Sequence, residues 1–336
     1  LSWSRLALSS SRLALAKARG RKLPFSITFI LTHRCNFRCT YCAIPDAAGF
    51  EMSTVQFQRA IDELAAAGMA RASFSGGEAL LRADAIDLIA YAHGLGLTTS
   101  LNTNGWLTLP LLDRLAPVLD MLVVSLDGPG ERHDGERHPG SFERAMATLD
   151  AARRKGLATA TITVLTARNT EVIEPVLTLA ERHGFWAYFQ PAYEDCFAQE
   201  AGLAPGLGPA LLADLSARLV QHRQLGRPVG ASPGYLRRLA RAPQFGDCSR
   251  CHAGRYFGTV MPDGVLVPCH LVSQRVAPVN GLSHPGGFAG AFHALDAPPT
   301  GPGCAISPYQ ESDLIFGLDP DAVAAALRKL GRELRW

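Results

Sequence analysis

The sequence predicts an α/β fold: a partial (β/α)6 barrel of the TIM type, joined to a smaller C-terminal domain rich in cysteine. Three observations carry this expectation. Between residues 26 and 193, short β-rich runs alternate with Ala/Leu/Arg stretches of helical spacing, which is the texture of repeated β-α units and demands a parallel sheet. Glycine and polar residues cluster just past each of the first four runs, at His33-Arg34-Cys35, Gly76-Gly77-Glu78, Asn102-Thr103-Asn104-Gly105 and Asp127-Gly128-Pro129. In parallel α/β folds that is where the chemistry sits, so four motifs distant in sequence are expected on one rim. Beyond residue 245 the chain turns to Gly, Pro, Cys and His.

The elements follow in order. A basic leader occupies 1–25. The barrel spans 26–195, with strands expected at 27–33, 72–75, 98–102, 121–126, 159–166 and 187–190, and helices at 53–67, 84–95, 109–116, 141–155 and 172–183. A helical connector, 196–245, is interrupted by Pro205, Gly206, Gly208, Pro209, Pro228 and Pro233. In the segment 246–318, "FGTVMPDGVLVPC" places Asp263-Gly264 between β-formers and predicts a hairpin. A terminal helix, 319–336, has Asp319 or Asp321 as its cap.

Composition narrows the class. The 336 residues allow one large or two smaller domains, and 47% hydrophobic with 19% charged residues is a globular profile. No apolar run approaches the roughly 18 residues of a membrane span. The N-terminus lacks the uninterrupted apolar core of a signal peptide, so a reducing, cytoplasmic setting is expected. The net charge of +3 hides an asymmetry: residues 1–45 carry +8 and no acid, leaving −5 on the remainder. Such a leader suits an anionic membrane surface or nucleic acid. Yet Leu6 and Leu13 fall on one helical face while Leu8 and Leu15 fall on the opposite one, a poor membrane amphipath. The leader is therefore read as a solvated, partly frayed helix, with peripheral membrane contact as the alternative and no nucleic-acid partner. Its lack of acids, with Ser and Arg, also fits a transit peptide.

The eight cysteines are too few for a disulfide scaffold and are clustered: Cys35, Cys39 and Cys42, then Cys196, then Cys248, Cys251, Cys269 and Cys304. Three thiols in "CNFRCTYC" can wrap one iron–sulfur cluster from a single loop. A [4Fe–4S] cube normally takes four protein ligands, so three leave one iron open. Structural zinc, the rival, takes four closed ligands.

Here the sequence resembles the radical S-adenosylmethionine (SAM) superfamily, over roughly residues 26–193. "CNFRCTYC" matches CxxxCxxC with an aromatic, Tyr41, before the last cysteine; "SGGE" at 75–78 matches the GGE motif, although Ala79 replaces the usual proline. "LNTNG" at 101–105 and "VSLDG" at 124–128 stand where related enzymes contact SAM. The resemblance implies that the open iron of the Cys35/Cys39/Cys42 cluster chelates SAM and that Gly76, Gly77 and Glu78 hold its methionyl ammonium. Asn102, Asn104 and Ser125 would meet the ribose and methionyl groups, and the Tyr41 backbone the adenine. Reductive cleavage of SAM would then yield a 5′-deoxyadenosyl radical that abstracts a substrate hydrogen. Asp127 is read as a turn or capping residue.

Cys248-x2-Cys251, with Cys251 and Cys269 spaced as Cys, twelve residues, Gly264, four residues, Cys, is similar to the first half of a SPASM domain. The dense second half is absent, so the region resembles the shorter Twitch form, which holds one auxiliary [4Fe–4S] cluster. Cys248, Cys251 and Cys269 are its implied ligands, with Cys304 as the fourth; a four-thiolate zinc site is the rival. His252 and His270 adjoin ligands without being ligands, and Cys196 is a packed thiol or faces the cavity.

The expected activity is that of a radical SAM enzyme whose auxiliary cluster relays an electron or anchors substrate. A small molecule, cofactor precursor or lipid is placed first as substrate, because no separate leader-peptide recognition domain is visible. A maturase acting on a ribosomally made peptide is the alternative, and a non-catalytic electron carrier or scaffold the third class. A reducing partner such as flavodoxin or ferredoxin is implied. Substrate-site candidates between barrel rim and auxiliary domain are Tyr193, Glu194, Asp195, Cys196, Arg255, Tyr256 and Glu311, with Gln310 and Asp313 nearby.

Overall fold

The computed structural model describes residues 3–46, 49–192, 207–241, 251–269, 276–297 and 307–333. Helix α1 (Trp3–Ala18) leads into six parallel strands: β1 (Ser26–Ile30), β2 (Arg71–Ser75), β3 (Thr98–Thr103), β4 (Met121–Ser125), β5 (Ala158–Leu165) and β6 (Trp186–Pro191). Between them run α2 (Thr54–Ala66), α3 (Ala85–Gly94), α4 (Leu112–Leu115), α5 (Gly130–Glu136), α6 (Ser141–Arg154) and α7 (Ile173–His183). The strands lie in the order β6-β5-β4-β3-β2-β1, each paired in parallel with its sequence neighbour, which gives the expected partial barrel.

The sheet's centre is apolar. Ile27, Phe29, Ala72, Phe74, Leu101, Leu122 and Val124 have no exposed surface, and Phe29 stacks on Phe74 at 5.7 Å. Each such large side chain contributes about 1.5–3 kcal/mol by leaving water. Helix α2 starts at a capping box: Ser53 accepts from Gln56 N–H at 3.3 Å, and Ser53 N–H donates to the Gln56 side chain at 2.8 Å.

Two local differences from the sequence reading have clear causes. The first strand, expected to reach residue 33, ends at Ile30 because the Thr32 hydroxyl accepts the Arg34 N–H at 3.0 Å and turns the chain out of the sheet. Helix α5 forms in a stretch to which the sequence reading assigns no element. His133 Nδ1 takes the Asp127 N–H at 3.0 Å, and Asp134 takes the N–H groups of Gly140 and Phe142 at 2.7 and 2.8 Å, so both flanks are pinned.

Past β6 come α8 (Pro209–Gln224) and α9 (Pro233–Ala240), then the hairpin of β7 (Phe257–Val260) and β8 (Val265–Val267), with Gly264 at φ +85° in its turn. Strand β9 (Val279–Asn280) pairs with β8. The hairpin does not stand apart: β7 pairs in parallel with β1, Ser26 opposite Phe257, so one sheet of nine strands runs through both halves of the chain. Helices α10 (Gly287–Ala294), α11 (Ser307–Phe316) and α12 (Pro320–Glu333) complete the fold. Asp319 is the cap of α12, accepting from Asp321 N–H at 3.1 Å and Ala322 N–H at 2.9 Å.

The basic leader departs from its expected solvated state. Ala16 is buried, Leu13 packs against the apolar cluster of Tyr256, Phe257, Tyr309 and Phe316, and Lys17 Nζ donates to the Phe316 carbonyl. Lys22 Nζ reaches the carbonyl of His293 at 2.9 Å. The end of α1 is thus clamped to the C-terminal part of the chain. No helix among the described residues is long and apolar enough to cross a membrane.

Candidate functional site

The loop after β1 carries Cys35, Cys39 and Cys42, all free thiols of intermediate exposure. Cys35 Sγ accepts the Phe37 N–H at 3.4 Å and lies 3.9 Å from Asn104 Nδ2. Cys39 Sγ lies 4.0 Å from Arg137 Nη1. Burial pushes the Cys39 thiol up to about 11 and also raises Cys35, and the neighbouring Cys42 adds to the rise of both. Left alone, such thiols stay protonated; bound iron would deprotonate them. Among the described residues no three His, Cys, Asp or Glu side chains gather around a single ion. A [4Fe–4S] cluster instead takes one thiolate per iron, and N–H donors aimed at the sulfurs suit it. The loop therefore fits such a cluster.

The strand ends converge on this loop as the sequence implied. A Cβ on Gly76 would lie 2.5 Å from the Thr32 carbonyl oxygen, and one on Gly77 would collide with the carbonyl oxygens of Arg34 and His33. Only glycine lets the β2 loop lie on the cysteine loop, where Gly77 N–H meets Thr32 O and Glu78 N–H meets Arg34 O, both at 2.9 Å. Glu78 is fully buried. Its oxygens accept from Leu80 N–H at 3.2 Å, Asn104 N–H at 2.8 Å and the Thr103 hydroxyl at 3.0 Å, and burial raises its pKa. Asn104 also donates to Asn36 Oδ1 at 2.9 Å and so ties the β3 end to the loop. Asn102 and Ser125, half-buried on β3 and β4, hold no side-chain hydrogen bond among the described residues and can meet a ligand.

Two functional candidates were missed by the sequence reading. Asp127, read as a turn residue, has no exposed surface. Its Oδ2 accepts from Tyr41 OH and from Arg137 Nε, each at 2.6 Å, and its Oδ1 from Val164 N–H at 2.8 Å. The Arg137 guanidinium also lies over the Tyr41 ring at 5.6 Å. Burial disfavours the Arg137 charge, but Asp127 more than restores it and the group stays firmly protonated. Beside them, Thr40 donates to Glu136. The sequence signal was slight: one Asp ten residues before one Arg. Phe37, buried, is stacked on His138 at 5.1 Å and edge-on to Trp106 at 5.7 Å, which shields the loop from water.

The second cysteine group is partly visible. Cys251 is half-buried and Cys269 buried, both against the apolar cluster of Tyr256, Phe257 and Phe316. Two thiols with seventeen residues between them in one apolar pocket fit a second cluster. Cys251, Arg255 and Tyr256 line a cavity of about 470 Å³ together with Lys17, Lys22 and His252. Arg255 Nε donates to Tyr256 OH at 3.2 Å, and Tyr256 stacks on His252 at 5.5 Å. Glu311 is not brought to this cavity: it accepts the Ser232 N–H at 2.6 Å and braces α9. Gln310 and Asp313 each accept from Arg238 at 2.6 Å, and Asp313 also takes the His252 N–H at 2.8 Å. Tyr193, Glu194, Asp195, Cys196, Cys248, His270 and Cys304 fall outside the described residues.

The family model of the Radical SAM superfamily matches residues 29–180, from β1 into α7. A PqqA peptide cyclase of Xanthomonas axonopodis pv. citri is 31% identical over 262 residues, covering 74% of this chain and 68% of the relative. The chain belongs to the radical SAM superfamily. It is an enzyme of that superfamily, whose members use a [4Fe–4S] cluster and SAM. This radical SAM chain is also 34% identical over 172 residues to an AdoMet-dependent heme synthase of Methanosarcina barkeri, covering 49% of each. In structure it resembles Streptococcus suis SuiB bound to precursor peptide SuiA, with a TM-score of 0.66 at 15% identity, over 81% of this chain and 65% of that one. That likeness shows the fold alone. The radical SAM chain thus spans about two thirds of the length of the cyclase and of SuiB.

Proposed function

We propose that this radical SAM enzyme modifies a precursor peptide by removing hydrogen from one of its side chains and forming a cross-link or a double bond. The observation that carries the reading is the 31% identity to a PqqA peptide cyclase over 262 residues, a match too long to lie within the barrel motifs alone. The fold of SuiB, solved with precursor peptide SuiA, is in keeping with it. The sequence had put a small molecule, cofactor precursor or lipid first, and the comparisons weigh toward the peptide instead. A second reading, small-molecule tailoring, keeps one observation behind it, the similarity to a heme synthase. With membership in an enzyme superfamily, the carrier or scaffold reading has no support left.

In this reading Cys35, Cys39 and Cys42 hold the SAM-cleaving cluster, and Cys248, Cys251, Cys269 and Cys304 the auxiliary one. When bound, cluster and SAM would supply a primary carbon radical that takes one substrate hydrogen, and the auxiliary cluster would accept the electron left behind as the second hydrogen departs as a proton. The protein's part is positioning and exclusion of water. Phe37 N–H and the Asn104 amide donate to Cys35 Sγ. Gly76 and Gly77 let the β2 loop close onto the cysteine loop, and Glu78 locks the end of β3 beneath it. Asn102, Asn104, Ser125 and the Tyr41 backbone meet SAM. Arg255 lines the cavity beside Cys251, at the edge of the sheet where β7 and β1 begin. Residues 26–195 act as the SAM-binding barrel and 246–318 as the auxiliary domain, joined by the connector at 196–245. A flavodoxin- or ferredoxin-type donor supplies electrons in a reducing cytoplasm.

The test has two steps. Anaerobic reconstitution should give about eight irons in the wild type and about four in a Cys35/Cys39/Cys42→Ala variant. Short peptides encoded beside the gene are then supplied with SAM and reductant and read by mass spectrometry. Loss of two hydrogens from one peptide, with 5′-deoxyadenosine formed, supports the reading. SAM cleavage that responds only to small molecules would overturn it.

A further inference from the structure

We propose that Arg137, held by Asp127, sets the reduction potential of the SAM-cleaving cluster through its contact with Cys39. This rests on the reading above that Cys39 is a ligand of that cluster.

The geometry singles out one sulfur. Arg137 Nη1 lies 4.0 Å from Cys39 Sγ, while Arg137 Nε donates to Asp127 Oδ2 at 2.6 Å. The guanidinium reaches both groups, so the cation stands next to the sulfur and the carboxylate is one bond further off. Neither group is swung by solvent: the Arg137 side chain is 8% exposed and that of Asp127 not at all. A charge so placed acts through a medium far less screening than water.

Asp127 fixes the arrangement. Its second oxygen takes the Val164 N–H, its first is shared with Tyr41 OH, and its own N–H goes to His133. It is anchored from β4, β5, α5 and the cysteine loop at once. Burying an ion pair adds little to stability compared with an apolar pair of the same size. An ion pair kept here, against a thiol of the cysteine loop, is better explained by what its field does.

Reduction adds one negative charge to the cluster. A neighbouring cation favours the reduced form and raises the potential, and a neighbouring carboxylate does the reverse. Hydrogen bonds to the ligating sulfurs act in the same direction as the cation. Arg137 and Asp127 therefore pull in opposite directions, with Arg137 the nearer.

The experiment is a redox titration of the reconstituted holoenzyme, followed by the electron paramagnetic resonance signal that shifts when SAM is added. Arg137→Gln should move the midpoint to more negative potential, and Asp127→Asn to more positive. The double variant should return toward wild type, and Arg137→Lys should move less than Arg137→Gln. Iron content should stay at the wild-type level in Asp127→Asn, which alone tests the sign if Arg137→Gln fails to load its cluster. Singles that load fully but do not shift, or that shift in the same direction, overturn the proposal. A Cys39→Ala variant separates the two layers: if it keeps the SAM-responsive signal, the ligand assignment itself is wrong and the proposal falls with it.

Discussion

The backbone N–H of Asn104 donates a 2.8 Å hydrogen bond to the carboxylate of Glu78, and the two residues lock the ends of β3 and β2 beneath the cysteine loop. Glu78 is a buried acid that forms no ion pair among the described residues; it is held by Leu80 N–H, Asn104 N–H and a hydroxyl. Burial raises its pKa above the unfolded value. Its contribution to stability is then full below the ordinary carboxyl range and lost as pH rises through the folded pKa. Glu78→Gln should therefore compare worst with wild type in acid and best at neutral pH. Thermal melts of both proteins between pH 4 and pH 8 check this; a gap that widens with pH would contradict it.

Gly77→Ala should damage the site more than the fold. A Cβ there meets the His33 carbonyl oxygen at 2.5 Å and the Arg34 carbonyl oxygen closer still, and neither is the end of a flexible side chain. The cysteine loop has to shift. Overpacking of this kind costs about 1–3 kcal/mol. Iron bound after reconstitution should drop by about half, from two clusters to one, while circular dichroism still reports the α/β fold.

His133 gives the opposite slope to Glu78. Burial, with help from Arg137, lowers its pKa from 6.5 to about 4. A depressed pKa means that the unfolded chain binds the extra proton first, so stability is full above about pH 6.5 and is lost as pH falls toward 4. The full swing is on the order of 3 kcal/mol. Urea midpoints measured across that window should fall with acid in the wild type and flatten in His133→Phe.

Phe316→Ala should separate the two cysteine groups. Phe316 packs against Phe25, Tyr256 and Phe257 at centroid distances of 5.6 to 5.9 Å, beside Cys251 and Cys269 and far from the cysteine loop in sequence. Removing a buried phenyl ring costs about 3–5 kcal/mol. Auxiliary iron should be lost while the SAM-responsive cluster signal remains. Loss of both signals together would mean that the two sites fold as one unit.

The parallel barrel was legible because period and punctuation agreed: six β-rich runs, the first four followed by glycine or a polar residue, match β1 to β6 within a few residues. The "FGTVMPDGVLVPC" hairpin was legible for the same reason, through Asp263-Gly264. What escaped was cooperative. Helix α5 forms in a sequence with no clear helical signal of its own, because His133 and Asp134 pin both of its ends. The pairing of β7 with β1 leaves no trace in either strand's pattern. Asp127 reads singly as a turn or capping residue, and only burial shows it and Arg137 to be one unit. The leader's lysines looked solvated, but backbone carbonyls of α10 and α11 receive them.

The register that sets Ser26 against Phe257 also bears on how the molecule comes into being. Strand β1 leaves the ribosome about 230 residues ahead of β7, its partner on one side. Until β7 arrives, β1 offers a bare row of backbone donors and acceptors to any passing strand. Contacts so distant along the chain form slowly. Cutting the chain between residues 241 and 251 would make that exposure permanent. A barrel expressed without its C-terminal part is therefore expected to gather in aggregates, whatever the fate of its iron.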